Sequence, residues 1–378
     1  MYLKNSLVAR EITSFEEQAV LTEWTRVHRP YGSDFVVDDY TKYTDATAQD
    51  IGSTDEYLDI DKTKVISFDL DAIDKIQNKY ETENYYVEKA AYRLKNEIDG
   101  TLLKEVYNFT SYADDGTAGG TAGNPHALTA STAAKFFTNA GALLQTAGCE
   151  MDKTWAAVVS PMTAATITQT MIGSGFNTAD SALRNGYAWP FAGFKVYVDQ
   201  NINHSNTISL TSNTLASTNI SVAGVTLNFV SPIGVIANNV LIGADTTATA
   251  ANIVSAINGT AGAGTTYVAL AAADRAKLKR LGVVATSALG VVTIKTYGKV
   301  VYAKAGTNAA NVTLGTQVEH AILCRPWAID MVMQKNIEVQ KNKIQRQTGY
   351  TMLIWALYGI KMFQEGKDRG LDLRLSAA

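Results

Sequence analysis

The residues able to do chemistry in this chain are few and scattered. Four histidines, His28, His126, His204 and His320, stand without an HExxH pair or a neighbouring cysteine. Zinc therefore has no ligand set, and each histidine reads as a surface or capping residue. Cys149 and Cys324 lie far apart and form no CxxC unit, which makes them small core side chains of a protein kept reduced. The pairs Asp59/Asp61, Asp69/Asp71 and Asp114/Asp115 could offer oxygens to a hard cation, but no twelve-residue calcium loop ending in Glu surrounds them. Gly298-Lys299 and Gly366-Lys367 lack the upstream glycine spacing and the following Ser or Thr of a phosphate loop. Gly173-Ser174-Gly175 is no nucleophile elbow, and Gly116 to Gly123 follows no strand of a βαβ unit. No catalytic, cofactor-binding or metal residue is expected, no cofactor is implied, and the chain does not read as an enzyme.

The composition points to packing instead. With 378 residues, 46% of them hydrophobic, the chain can bury a sizeable core, and its length suits two or three domains. A net charge of −3 and a pI near 5.9 give no global basic field of the kind a dedicated nucleic-acid binder carries. Met1 to Ile12 has no apolar signal core, and no run of about 18 apolar residues occurs, so a soluble, unsecreted chain is expected. The charge is distributed unevenly. Gln200 to Ala244 contains no Asp, Glu, Lys or Arg, and 203–318 carries seven basic residues against Asp245 and Asp274, a net of +5 that leaves −8 on the remainder. This Thr-, Ser-, Ala-, Asn- and Gly-rich tract reads as an inserted domain.

The elements follow from periodicity. Residues 1–27 are helix-compatible up to a break at His28, Arg29, Pro30, Tyr31 and Gly32. Asp34 to Lys64 resembles a long hairpin, with Phe35, Val36, Val37 and Tyr40 leading out and Tyr57, Leu58 and Ile60 leading back. It holds nine acidic residues against Lys42, Lys62 and Lys64, a net of −6. An isolated hairpin is marginal in water, so this one is expected to rest on something else. Ile73, Ile76, Tyr80, Val87, Ala90, Ala91, Leu94, Ile98 and Leu102 keep helical spacing, which predicts one long helix or two in series, capped by Asp71 with Asp74 in its first turn and bent near Gly100. Asp114 to Pro125 reads as a flexible loop, Ser131 to Ala147 as a helix, Trp155 to Ser160 as a buried strand, and Pro161 as a helix start. Gly173 to Tyr187 reads as a loop and Phe194 to Val198 as a strand. Within the tract, strands are expected at Thr226–Val230 and Val240–Ile242, helices at Ala248–Ile257 and Ala272–Leu281, and a hairpin of Val291–Lys295 with Lys299–Ala303 around Tyr297-Gly298. After it, Ala321 to Met333 is apolar, and Ile337–Gln340 and Thr351–Met362 close the chain in β structure.

This order of elements, with WAAVVSP, GYAWPFAGFKVYVDQNI, HAILCRPWAIDMVMQKNIEVQ and TGYTMLIWALYGIKMF, resembles the major capsid protein of tailed bacteriophages, whose Hong Kong 97-type fold encapsulins also use. The resemblance implies an α+β capsid fold with an inserted, β-rich α+β domain. Its divisions would be an N-terminal arm (1–33), an extended loop (34–68), a peripheral domain with a spine helix (69–130), a first axial part (131–202), the inserted domain (203–318), an axial return (319–336) and peripheral closing strands (337–378). Asp34 to Lys64 would lie across a neighbouring subunit, Asp71 to Tyr107 would be the spine helix, Ser131 to Asn201 with Glu319 to Met333 the axial domain, and Ile337 to Met362 the returning strands.

The function so implied is an icosahedral shell of pentamers and hexamers around packaged double-stranded DNA, assembled in the host bacterial cytoplasm and ending as the virion capsid. Its partners would be other copies of itself, a portal, a decoration protein and DNA held without sequence specificity, with no membrane; since no charged helical segment precedes the arm, either a separate scaffolding protein or a processed coat is implied. The alternative is an encapsulin-like nanocompartment enclosing a cargo enzyme. A secreted or surface enzyme with a carbohydrate-binding-like insertion is disfavoured by the missing signal and the missing catalytic carboxylate pair.

Overall fold

The spacing of buried side chains writes most of this structure directly. KTKVISFDLD alternates half-buried with exposed positions along its whole length, as a strand must, while Ala90, Leu94, Ile98 and Leu102 recur every fourth residue and are all buried. The computed structural model describes residues 12–14, 26–32, 35–43, 45, 48–49, 52–71, 82–149, 155–173, 190–344 and 348–377. In chain order it begins with β1 (Thr13–Ser14), β2 (Arg26–Gly32), β3 (Ser53–Asp59), β4 (Lys62–Asp71), α1 (Thr82–Leu103), β5 (Ser111–Ala113), α2 (Ala133–Thr146), β6 (Trp155–Val159), α3 (Pro161–Gly173), β7 (Phe194–Val198) and β8 (Asn203–Leu210). It continues with β9 (Thr218–Val222), β10 (Val225–Val230), β11 (Asn239–Leu241), α4 (Thr246–Asn258), α5 (Ala272–Arg280), β12 (Val284–Ala288), β13 (Val291–Tyr297), β14 (Tyr302–Gly306) and β15 (Val312–Leu314). The close is β16 (Val318–Cys324), β17 (Ile329–Lys343), β18 (Gly349–Lys361), α6 (Gln364–Lys367) and β19 (Gly370–Ser376).

Two compact units result. The first, residues 1–108 with 326–369, holds a sheet in the order β1-β17-β18-β4 and a two-stranded ribbon of β2 with β3. Val27, Leu58, Ile60, Val332 and Phe363 form a small shared core. Tyr358 of β18 is fully buried, and burial pushes its phenol up to about 12.

One expectation is corrected in this unit. The ladder of the acidic segment is β2 with β3, in register Val27 to Leu58, so its outgoing arm is Arg26–Gly32 and not Phe35–Tyr40. Pro30, where the helical pattern was expected to break, lies in β2 and is tolerated there because both strands of a two-stranded ribbon are edges and one side of each needs no donor. Asp71, the expected helix cap, is the last residue of β4 and pairs with Gly349. The proposed helix start with Ile73, Asp74, Ile76 and Tyr80 lies outside the described residues, as does most of the 1–27 segment. Gly100 lies in the last turn of α1.

The second unit, residues 109–325 with 370–378, is built on a nine-stranded sheet in the order β12-β13-β8-β16-β19-β5, with β6 joining β16 to β7 and β15 lying on β8. A four-stranded sheet runs β11-β10-β9-β14. Two hydrophobic cores divide at the tract borders. One gathers Phe136, Phe137 and Leu144 of α2 with Trp155, Phe194, Leu323 and Leu373, and draws on nothing from 203–318. The other gathers Ile208, Leu227, Phe229, Val240, Ile253 and Ile294, all from within the tract. Even so, the large sheet crosses that border unbroken, because Ser205, His204 and Asn203 pair with Val318, Glu319 and His320. The ends of the tract therefore lie side by side.

The expected elements 133–146, 155–159, 161–173, 194–198, 225–230, 239–241, 246–258 and 272–280 form within a few residues of their predicted bounds. The expected hairpin around Tyr297-Gly298 does not. β13 pairs with β12 and β8, while β14 pairs with β9. The tight turn is Leu289-Gly290, both at positive φ (48° and 77°), and Ala223-Gly224 repeats it between β9 and β10 (54° and 76°). Two residues at positive φ match the twist of a two-residue hairpin. The loop 114–125, expected to be flexible, is closed by its own bonds: Asp115 N donates to Asn124 O (2.9 Å), Thr121 N to Asp115 Oδ2 (2.8 Å) and Gly123 N to Asp114 Oδ2 (2.5 Å). The Gly173–Tyr187 loop falls outside the described residues beyond Gly173 itself.

Candidate assembly surfaces

Beyond the β2–β3 ribbon, residues 35–43 join no ladder. Phe35 is 70% exposed, Val37 94%, Tyr40 77% and Tyr43 90%, with Val36 exposed between them. Local bonds fix the base of the segment, since Val36 N donates to Gln49 Oε1 (2.9 Å) and Gln49 Nε2 donates to Val36 O. At the ribbon, Arg26 Nε meets Asp59 Oδ1 at 2.5 Å, and that hydrogen bond holds the Asp59 carboxyl below the usual carboxylate range. Five large apolar side chains in nine residues, interleaved with Asp38 and Asp39, make an exposed patch of the kind that marks an interaction surface.

A second arrangement lies where the tract meets the rest of its sheet. On one face of β16, the Glu319 carboxylate accepts from Ser160 Oγ (2.8 Å), Ser160 N (3.1 Å) and Thr163 Oγ1 (3.0 Å) at the start of α3. A carboxylate there meets both unpaired amide donors and the positive end of the helix. His204 Nδ1 donates to Ile202 O (2.9 Å), and its Nε2 stands 4.0 Å from Glu319 Oε2. Burial holds the imidazole below its ordinary proton affinity. A pocket of about 210 Å³ opens on this face, lined by Ser160, Met162, Gln200, His204, Lys299 and Glu319.

Successive strand residues point to opposite faces, so Ser205 and His320 sit on the other side. There Ser205 Oγ lies 2.7 Å from His320 Nε2, His320 Nδ1 lies 2.9 Å from Asp372 Oδ2, and Arg374 Nε donates to the same oxygen at 3.0 Å. Arg374 also stacks 3.7 Å over the Tyr112 ring. The bond order is that of a hydrolase triad. Yet His320 is 7% exposed and the pocket opens on the opposite face, so the network serves to tie β8, β16, β19 and β5 together through buried, mutually satisfied polar groups.

Sequence reasoning treated the four histidines as surface or capping residues, and the structure corrects this for three. His126, His204 and His320 are buried, and His126 bonds Asp115 at 2.8 Å. His28 is exposed and meets the Tyr57 ring edge-on at 4.5 Å. Separations of 115 residues between Ser205 and His320 and 52 between His320 and Asp372 leave no local signal. Only strand pairing could have found them. Both cysteines are buried thiols, and burial pushes Cys324 up to about 12. Among the described residues, no group of three or more His, Cys, Asp or Glu side chains could hold a metal ion, and no helix is long and apolar enough to cross a membrane.

No protein-family model matches the chain, and no curated protein matches it. Solved structures do. A structure from Mycobacterium phage Che8 aligns with a TM-score of 0.56 at 14% identity, over 98% of this chain and 93% of that one. The capsid structure of the cyanophage P-SCSP1u aligns with a TM-score of 0.51 at 10% identity, over 100% of this chain and 90% of that one. The chain has the Hong Kong 97-type fold of phage capsid proteins, as its order of elements implied.

Proposed function

We propose that this chain is the major capsid protein of a tailed bacteriophage, and that its copies close as pentamers and hexamers into an icosahedral shell around packaged double-stranded DNA. The observation that carries the proposal is the exposed apolar segment 35–43 on a chain with a capsid fold. Such a surface stabilises nothing in the single chain, and contact with neighbours supplies the burial it lacks. The role is structural and involves no catalysed step. On this reading the arm precedes Arg26, the extended loop is the β2–β3 ribbon with the residues between its strands, 62–130 and 337–378 form the peripheral domain, and 131–202 with 319–336 the axial domain. Residues 203–318 form an inserted domain on the outside of the shell, a reading supported by their separate core and their adjacent ends. A separate scaffolding protein, a portal and a decoration protein complete the assembly, in the cytoplasm of a bacterial host.

The test is microscopy and light scattering of the chain co-expressed with its scaffold. Closed shells are expected, with DNA in particles that also carry the portal. Monomers and dimers alone would refute the proposal, and shells filled with an enzyme in place of DNA would favour a nanocompartment. A variant with Phe35, Val37, Tyr40 and Tyr43 replaced by Ser should keep the wild-type circular dichroism and unfolding midpoint while losing shell formation.

A further inference from the structure

Helix α5 is the most basic element of the inserted tract, with Arg275, Lys277, Lys279 and Arg280 against Asp274 in nine residues. Its side chains divide by task. Leu278, 2% exposed, anchors the helix in the tract core. Arg275 turns inward and donates to Ile257 O and Asn258 O at the end of α4. Asp274 accepts from Asn238 Nδ2 at 2.7 Å, so the one acid of the helix is engaged away from its basic end. Lys279 and Arg280 are exposed in the last turn, with Lys277 half-buried beside them. Lys277 lies over the Ala223-Gly224 turn, its Nζ 3.0 Å from where a Cβ on Gly224 would stand. Ala223 N in turn donates to the carbonyl of Val301, whose side chain is 76% exposed. The result is a basic surface with an exposed aliphatic side chain at its edge.

The segment 35–45 offers the complement. Asp38, Asp39 and Asp45 are exposed there beside Phe35, Val36, Val37, Tyr40 and Tyr43. Acidic groups would meet the three cations, apolar side chains would cover Val301, and tyrosine faces suit Lys and Arg side chains. The charge balances are opposite in sign and nearly equal in size, −6 over 34–64 against +5 over 203–318. On the shell reading, neighbouring copies bring such surfaces together.

We infer that the acidic segment 35–45 of one copy docks on the basic end of helix α5 of a second copy, making the inserted domain a receptor for a neighbour's extended loop. This rests on the shell reading and gives it a specific contact. Opposite charges across such a surface set register and partner choice and speed encounter, so the contact should weaken as salt is raised.

A charge exchange in the full-length chain, co-expressed with scaffold, tests it. Variant one carries Lys277→Glu, Lys279→Glu and Arg280→Glu; variant two carries Asp38→Lys, Asp39→Lys and Asp45→Lys; variant three combines them. Each is checked for folding by circular dichroism, and shells are counted by sedimentation and microscopy. Each single set should lower shell yield about tenfold or more, and the combined chain should recover most of it, because opposed charges are restored across the contact. Wild-type yield from variant one would overturn the inference and leave the shell reading standing. So would failure of the combined chain to recover. Normal shells with lowered DNA content in variant one would assign the cations to DNA instead, also overturning it. Absence of shells from the wild-type chain would refute the shell reading, and the docking with it.

Discussion

Residues 35–43 and the tract 203–318 solve the problem of burial in opposite ways. The tract is poor in charge over its first half, yet it closes its own core: Ile208, Leu227, Phe229, Val240, Ile253 and Ile294 pack on one another without help from elsewhere. The acidic segment holds comparable apolar side chains and leaves them in water. Apolar surface is worth about 25 cal/mol per Å² only where it is removed from water, so the tract contributes to the stability of the single chain and the segment contributes to an assembly. Apolar content alone therefore predicts neither stability nor function. What decides is whether the chain can fold its own atoms over those side chains.

The sharpest way to break this contrast is to remove a central side chain of the tract. Phe229→Ala should cost roughly 3–5 kcal/mol, read as a lowered midpoint of thermal or denaturant unfolding. The same truncation at the exposed Phe35 should leave that midpoint unchanged. A loss at Phe35 equal to that at Phe229 would mean the segment is packed within its own chain.

A smaller effect concerns the border between the tract and its sheet. His204 faces Glu319 and Lys299, and burial holds its affinity for a proton below the ordinary value of 6.5. The folded state thus binds fewer protons than the unfolded one. The associated stability is present above pH 6.5 and is lost as pH falls below it, by at most about 1.4 kcal/mol per pH unit for this one group. Melting curves between pH 7.5 and 5 should show the decline, and His204→Gln should flatten it. An unchanged slope in that variant would assign the decline to other groups.

The smallest effect is expected at the turn between β12 and β13. Leu289 adopts φ 48° with its side chain 91% exposed, a backbone that asparagine tolerates better. Leu289→Asn should raise the unfolding free energy by roughly 0.5 kcal/mol, measured by urea titration. A decrease would mean that Leu289 is held by a contact its exposure does not show.

The parts legible in sequence were those governed by local periodicity. FKVYV alternates, WAAVV is a continuous apolar run ended by a Ser-Pro helix start, and α1 repeats its buried positions every fourth residue, so each element could be placed without knowing its neighbours. Partner choice was not legible. Lys299–Ala303 read as the return arm for Val291–Lys295 because Tyr297-Gly298 looks like a turn, but Gly298 is needed where the chain passes the Gln200 carbonyl, 2.9 Å from the position of a Cβ. The Ser205–His320–Asp372 network was hidden for the same reason. Its members sit on three neighbouring strands, and only the register joins them. The exposed segment is a different case. Phe35, Val36, Val37 and Tyr40 have the composition of a strand, and composition cannot tell a strand paired in its own sheet from one left for a neighbour.

Hydrogen–deuterium exchange on assembled shells and on free subunits of the same chain tests the central claim most directly. Residues 35–43 join no ladder, so their amides should exchange fast in the free subunit and become protected in the shell, while peptides from the tract core around Leu227, Phe229 and Ile253 stay equally protected in both. Fast exchange of residues 35–43 in intact shells would contradict the account.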